Sequence, residues 1–331
     1  MCARCHRKGA QTQWRLVMRQ EHLRAFLRLV RFPNLVIVAL TQYLVYFALF
    51  KDAFDEEGIR MALQPGAMHL FVADTLLITA GGYIINDIFD FRSDMANRPG
   101  RMALGRYIHK QTAYWLYYSL SLIGFFLALI LAFQVGRPPL VALYPLAVLF
   151  LFLYTAYFKK APLAGNLLIA AFCAGVAGVI WFAEREGFSR LIVLSPKTAL
   201  ELSNLLNWYL AFAFLSTLYR ELVKDLEDMP GDARAGCRTV PLAWGVGTAK
   251  IMAGLTAVLL LLLLLAMALA ESERFGAISY GFTLAGLMLP VGYSLAKLKN
   301  ASGSKDYRTL SQLAKLIMLN GLLLLLLLTF Q

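Results

Sequence analysis

Residues Thr248–Ala270 read TAKIMAGLTAVLLLLLLLAMALA. The stretch carries one charge, Lys250, and shows no alternation of apolar and polar residues. A hydrocarbon core of roughly 30 Å is spanned by about 20 apolar residues in a helix. Inside lipid the backbone must satisfy its own hydrogen bonds, so an unalternated run of this length means a helix rather than a barrel strand. The tract Leu259–Leu265 has no polar group at all and reads as lipid-facing surface.

Outward from this stretch the same pattern recurs, near Phe32–Phe50, Met68–Phe89, Thr112–Phe133, Leu140–Phe158, Pro162–Ala183, Ser203–Val223, Ala277–Ala296 and Leu310–Phe330. The chain has 331 residues, 59% hydrophobic and only 16% charged, with a mean hydropathy of +0.61. A soluble chain of this length carries far more charge. The expected fold is therefore all-α, a polytopic membrane helical bundle with about nine transmembrane helices.

The basic residues set the orientation. Of 32 Lys and Arg, all but Lys51, Arg60, Arg137, Arg185, Arg190, Lys197 and Arg274 fall on the N-terminal segment and the even-numbered loops. Positive residues stay on the cytoplasmic side, which predicts a cytoplasmic N-terminus in a cell (inner) membrane protein. The net charge of +12 then describes a membrane face. No basic stretch interleaved with aromatics argues for nucleic acid. Residues 1–31 form a basic cytoplasmic segment and 32–331 a single transmembrane domain. Arg15–Arg31 either lies along the membrane with Leu16, Leu23, Phe26, Leu27 and Val30 toward lipid, or serves as a positive topogenic flank. Cys2, Cys5 and His6 spell C-x-x-C-H, but haem attachment needs export of a segment expected to stay inside, so no haem is expected.

Two acidic segments carry the chemistry, both on the predicted cytoplasmic side. The first runs Asn86-Asp87-Ile88-Phe89-Asp90-Phe91-Arg92-Ser93-Asp94. Asp87, Asp90 and Asp94 stand at i, i+3 and i+7, one face of a helix over two turns, and Asn86 joins that face four residues before Asp90. Stacked carboxylates repel one another unless a cation neutralises them. Carboxylate and amide oxygens suit Mg²⁺, which keeps further positions for water and phosphate oxygens. Arg98 and Arg101 follow, with the fork geometry that suits phosphate.

The second segment runs Asp225-Leu226-Glu227-Asp228-Met229-Pro230-Gly231-Asp232, with the same spacing at Asp225, Asp228 and Asp232. Pro230-Gly231 is expected to end the helix and leave Asp232 on a turn. One such cluster could be a solvated helix end. Two, on the same side and interleaved with Arg and Lys, have the composition of a metal-bridged diphosphate site. A prenyl diphosphate matches both parts of the chain: a polar head for Mg²⁺ and basic side chains, and a hydrocarbon tail for an apolar bundle that keeps water from an allylic cation.

At these residues the sequence resembles the UbiA superfamily of intramembrane prenyltransferases. The pattern N-D-x-x-D-x-x-x-D is matched by Asn86, Asp87, Asp90 and Asp94, and D-x-x-D-x-x-x-D by Asp225, Asp228 and Asp232. Arg31-Phe32-Pro33-Asn34, Asn97-Arg98-Pro99-Gly100-Arg101 and Tyr154-Thr155-Ala156-Tyr157-Phe158-Lys159-Lys160, leading to Gly165-Asn166, extend the match. The proline usual after Arg101 is missing from Arg101-Met102-Ala103-Leu104-Gly105.

The resemblance implies Mg²⁺ held by Asn86, Asp87, Asp90, Asp94, Asp225, Asp228 and Asp232, with Asp90, Asp94, Asp228 and Asp232 central to catalysis. It implies phosphate contacts from Arg98, Arg101, Lys159 and Lys224, and makes Asn34, Asn166 and Tyr154 candidates for the acceptor or headgroup. The segment Glu221–Asp228 with Gly231-Asp232 and Gly236-Cys237-Arg238-Thr239-Val240-Pro241 looks most like geranylgeranylglycerol-phosphate geranylgeranyltransferases. The implied partners are a polyprenyl diphosphate and a membrane-associated acceptor. Prenylation of an aromatic acid in quinone biosynthesis is the runner-up reaction.

A transporter is the non-enzyme alternative, but it would place ionisable residues near the midplane of several helices rather than at helix ends on one side. Asp74, within the second span beside His69, is expected to be paired or snorkelled near the opposite surface.

Overall fold

The computed structural model describes residues 20–97 and 102–329. Regular structure among them is helical, apart from an isolated bridge between Leu104 and Ile108. Helix α1 covers residues 20–29 and α2 Phe32–Glu56. Then follow α3 Pro65–Asn97, α4 Lys110–Val135, α5 Pro139–Ala156, α6 Ala164–Leu194 and α7 Pro196–Arg234. The short α8 Val240–Trp244, α9 Val246–Ala270, α10 Ala277–Asn300 and α11 Ser304–Thr329 complete the chain.

Eight of these helices are long and apolar enough to cross a membrane: α2–α6 and α9–α11. The remaining expected span, Ser203–Val223, lies inside α7, whose 39 residues give ample length but whose composition is more polar. Packing supplies the reason. Helix α7 is ringed by α3, α6, α9 and α11, so its sides meet protein instead of lipid. A helix shielded in this way need not be uniformly apolar.

The surface helices show the complementary pattern. In α9, Ala249, Ala253, Ala257, Leu260 and Leu264 are buried, while Ile251, Leu255, Leu259, Leu262, Leu265 and Leu269 are exposed. Alanines one turn apart let α9 approach its neighbours closely, and the leucines behind them form the outer stripe. Within the Leu259–Leu265 tract, Leu259, Leu262 and Leu265 therefore face outward, while Leu260 and Leu264 belong to the core.

Helix boundaries follow local chemistry. Proline stands in the first turn of α2, α5 and α7, where the missing N–H is not needed. Gly136 ends α4 in the left-handed region at φ 67°, and its N–H bonds back to the last carbonyls. At the end of the bundle away from the acidic segments, buried Glu184 on α6 accepts the backbone N–H groups of Ala62 and Leu63 at 2.9 and 2.8 Å. This contact fixes the α2–α3 connection.

Three expectations are revised. Helix α1 packs Ala25, Leu29 and Val30 against Ile84, Ile85 and Ile88 of α3 and against Ala103, Leu104 and Ile108, so Val30 faces protein rather than lipid. Asp74, expected to be paired or snorkelled, has an Oδ1 with no hydrogen-bond partner among the described residues, so the pairing half of that expectation is not seen, and nearby His69 has its Nδ1 2.8 Å from the Tyr43 hydroxyl. Helix α7 does not stop at Pro230 but runs on to Arg234, with Asp232 buried on its last turns. Proline removes only its own N–H from the ladder, and bonds such as Ala235 N–H to Gly231 O carry the helix past it. Arg98, Arg101, Cys2, Cys5 and His6 lie outside the described residues.

Candidate active site

The first acidic segment occupies the last turns of α3. Helix α3 has 33 residues, roughly 50 Å at 1.5 Å per residue, so its final turns project beyond a 30 Å hydrocarbon core. The second segment occupies the matching end of α7. Helices α3 and α7 pack against each other, and both acidic faces open into one cavity of about 280 Å³.

Asp87, Asp90 and Asp94 line one side of this cavity, and Asp225, Asp228 and Asp232 the other. Lys159, Lys224, Asn34, Tyr154 and Asn166 also line it, so the candidates among the described residues converge as expected, with one exception. Asn86 is not on the wall. Its Nδ2 donates to Asp90 Oδ2 at 2.7 Å, and its Oδ1 accepts from Lys159 Nζ at 3.3 Å. Asn86 therefore braces the pair that Lys159 forms with Asp90.

Each polar group is positioned from a different element. Lys159 sits on a single 3₁₀ turn, Phe158–Lys160, between α5 and α6. Gly165 lets the start of α6 lie against that turn: a Cβ there would meet Phe158 O at 2.9 Å and Lys159 Cα at 3.0 Å. One residue later, Asn166 Nδ2 donates to Asp225 Oδ2 at 2.9 Å. Asn34 Nδ2 donates to the Tyr83 hydroxyl at 3.2 Å. Arg220 pairs with its neighbour Glu221, also on the cavity wall.

Arg31 is the residue whose part in the site sequence reading missed. It sits between α1 and α2 with φ 50° and ψ 52°, the left-handed region that costs a non-glycine residue about 1–2 kcal/mol. Its guanidinium lies 4.7 Å from the Tyr83 ring centre, and its Nη2 donates to Asp87 Oδ1 at 3.0 Å. Among the described residues the only other non-glycine residue with positive φ is Leu163, two positions before Gly165. Backbone strain is thus found at the two connections that deliver Arg31 and Lys159 to the cavity. Arg28, Lys315 and Thr239 line the cavity as well. Thr239 is 6% exposed, and its Oγ1 has no hydrogen-bond partner among the described residues.

The electrostatics follow from this crowding. Burial, together with the nearby charges of Asp90 and Asp87, pushes the Asp94 carboxyl up to about 6. Burial alone would lower the Lys159 ammonium, but Asp90 and Tyr154 together outweigh it and leave that group raised. The donor set on the wall is dominated by carboxylate and amide oxygens, which suits a hard divalent cation. Among the described residues no three carboxylates converge on one point; Asp87 pairs with Arg31 and Asp90 with Lys159.

Comparison with known proteins adds independent findings. The profile of the UbiA prenyltransferase family matches residues 60–319. The digeranylgeranylglyceryl phosphate synthase of Methanopyrus kandleri is 29% identical over 301 residues, covering 91% of this chain and 97% of that protein. The synthase of the same name from Hyperthermus butylicus is 31% identical over 248 residues, covering 73% and 76%. Among solved structures, one reported for digeranylgeranylglyceryl phosphate synthase superposes with a TM-score of 0.63 at 23% identity, covering 93% of this chain and 99% of that one. A UbiA homolog from Aeropyrum pernix superposes with a TM-score of 0.60 at 16% identity, covering 86% and 97%. These two likenesses establish the fold.

Proposed function

The chain belongs to the UbiA prenyltransferase family, and from that premise we propose that it transfers a polyprenyl group from a polyprenyl diphosphate to a geranylgeranylglycerol-phosphate-like lipid, releasing pyrophosphate. The observation that carries the reading is the meeting of two acidic faces, with cations between them, in one cavity at the end of an apolar bundle. The two relatives named as digeranylgeranylglyceryl phosphate synthases favour the glycerol-phosphate acceptor over an aromatic acid.

Asp87, Asp90, Asp94, Asp225, Asp228 and Asp232 would hold Mg²⁺, with Asn86 at the edge of the set. Bound there, Mg²⁺ would neutralise charge on the diphosphate. Lys159 and Lys224 would bind phosphate oxygens, as would Arg98 and Arg101. In the transfer itself, the C1–O bond of the prenyl diphosphate breaks and its electron pair leaves with pyrophosphate. The acceptor hydroxyl oxygen forms the new bond to C1 and loses its proton to the site. Cations aimed at the leaving group stabilise the charge that develops on it. Asn34, Tyr154 and Asn166 line the part of the wall where an acceptor or headgroup could be oriented. The surrounding apolar helices keep water from C1.

The Lys and Arg distribution supports placing this cavity on the cytoplasmic face of a cell membrane, with residues 1–31 as a cytoplasmic segment and 32–331 as one catalytic domain. The deciding experiment incubates membranes containing the protein with labelled geranylgeranyl diphosphate and competing glycerol-phosphate and aromatic acceptors. Label in a phospholipid ether with matching pyrophosphate release supports the proposal. Label in the aromatic acid overturns the acceptor, and solute movement across vesicles without pyrophosphate release overturns the reaction.

A further inference from the structure

Arg31 belongs to neither acidic segment, yet several contacts hold it at the cavity. Its backbone is held in the left-handed region, its guanidinium lies over Tyr83, and Tyr83 is fixed by Asn34. The consequence is a contact of 3.0 Å to Asp87. Lys159 makes the equivalent contact to Asp90, braced by Asn86. Two neighbouring carboxylates of the first segment are therefore each matched by a cation from a different part of the chain.

A divalent cation approaching α3 meets two ion pairs rather than two bare carboxylates. Ligation by Asp87 and Asp90 would leave Arg31 and Lys159 as unmatched charges in a partly buried site, which is unfavourable. A diphosphate arriving in the same cavity reverses the balance, because its oxygens accept from guanidinium and ammonium groups. We infer that Arg31 and Lys159 are exchangeable counterions, which hold Asp87 and Asp90 until a diphosphate takes them over. Divalent cation and diphosphate then load as a coupled pair, and each binds weakly without the other. This inference rests on the diphosphate-transfer reading above. It assigns Arg31 as a positioning residue for Asp87 before loading and as a diphosphate contact afterwards.

The test is binding rather than turnover. Mn²⁺ serves as the metal probe, read by its electron paramagnetic resonance signal on the full-length protein in detergent, with and without inorganic pyrophosphate. Replacing Arg31 by Gln should tighten binding of Mn²⁺ alone by about fivefold or more, the low end of typical coupling between sites. The same substitution should weaken binding of pyrophosphate in the presence of Mn²⁺. Opposite signs are the signature, since damage to the fold would weaken both. Arg31→Lys should restore the wild-type pattern in part. Asp87→Asn gives the reciprocal reading and covers the case in which Arg31→Gln does not fold: with Arg31 released, pyrophosphate alone should bind more tightly.

Mn²⁺ affinity that is unchanged or weakened in Arg31→Gln, or pyrophosphate affinity unchanged in Asp87→Asn, overturns the inference while leaving the enzymatic reading intact. A wild-type protein that binds neither pyrophosphate with Mn²⁺ nor a prenyl diphosphate overturns both.

Discussion

Gly165 packs against the backbone of Lys159 so closely that a Cβ would lie 3.0 Å from the Lys159 Cα and 2.9 Å from the Phe158 carbonyl oxygen. Both obstacles are main chain, so neither can rotate aside. Gly165→Ala must shift the 3₁₀ turn and move the Lys159 ammonium away from Asp90. Misplacement on the order of 1 Å lowers catalysis by about a hundredfold. The expected result is a loss of that order in kcat/KM for the prenyl diphosphate, with KM for the acceptor nearly unchanged. Steady-state kinetics with each substrate varied in turn checks it.

Asp90 and Asp228 face the same cavity from α3 and α7. Changing either to Ala removes a carboxylate from the set proposed to hold Mg²⁺. Turnover should fall by at least about a hundred- to a thousandfold, the usual effect of losing one electrostatic stabiliser. Chromatographic profile and membrane insertion should match wild type. Retained activity in both variants would sink the assignment.

The raised Asp94 carboxyl predicts a pH dependence. A carboxyl group must lose its proton to bind metal, so protons compete with the metal below a pKa of about 6. Asp225, which burial pushes up to about 7, competes in the same way, so metal affinity should be highest at pH 7.5 and fall steadily toward pH 5.5, by up to about tenfold per pH unit for each competing proton. Calorimetric Mn²⁺ titrations at pH 5.5, 6.5 and 7.5 measure this. In Asp94→Asn the affinity should be lower throughout and the slope shallower.

Glu184 offers a test of the fold at the far end of the bundle. It satisfies two backbone donors, those of Ala62 and Leu63, and is itself fully buried. Glu184→Ala leaves both donors unsatisfied at about 1–3 kcal/mol each. A clear drop in the thermal unfolding midpoint in detergent is expected. KM values measured on the folded fraction should be unchanged, because Glu184 is not part of the cavity wall.

Much of this architecture is readable in the sequence because lipid imposes a simple rule, and α3 and α9 obey it plainly. The acidic faces were readable because i, i+3, i+7 spacing is local geometry. What was not readable depended on tertiary surroundings. Pro230-Gly231 looks like a helix end, yet α7 continues through it once neighbouring bonds hold the turn. Asn86 sits in the motif but braces Asp90 and Lys159 instead of lining the cavity, which no spacing rule distinguishes. Arg31 lies 56 positions before its partner Asp87, and only the fold brings them together. Lys315 and Thr239 reach the cavity from parts of the chain remote from the first acidic segment.

Helix α7 is joined to α6 through Ser195 alone and, among the described residues, is the one long helix too polar to qualify as a membrane span by itself. A segment of marginal hydrophobicity inserts poorly on leaving the translocation machinery. Helix α6 therefore has to carry α7 into the bilayer as a hairpin, and α9 and α11 must then close around it. The second acidic face, at the end of α7, is consequently held in place by packing against α6, α9 and α11 rather than by any strong preference of α7 itself for lipid.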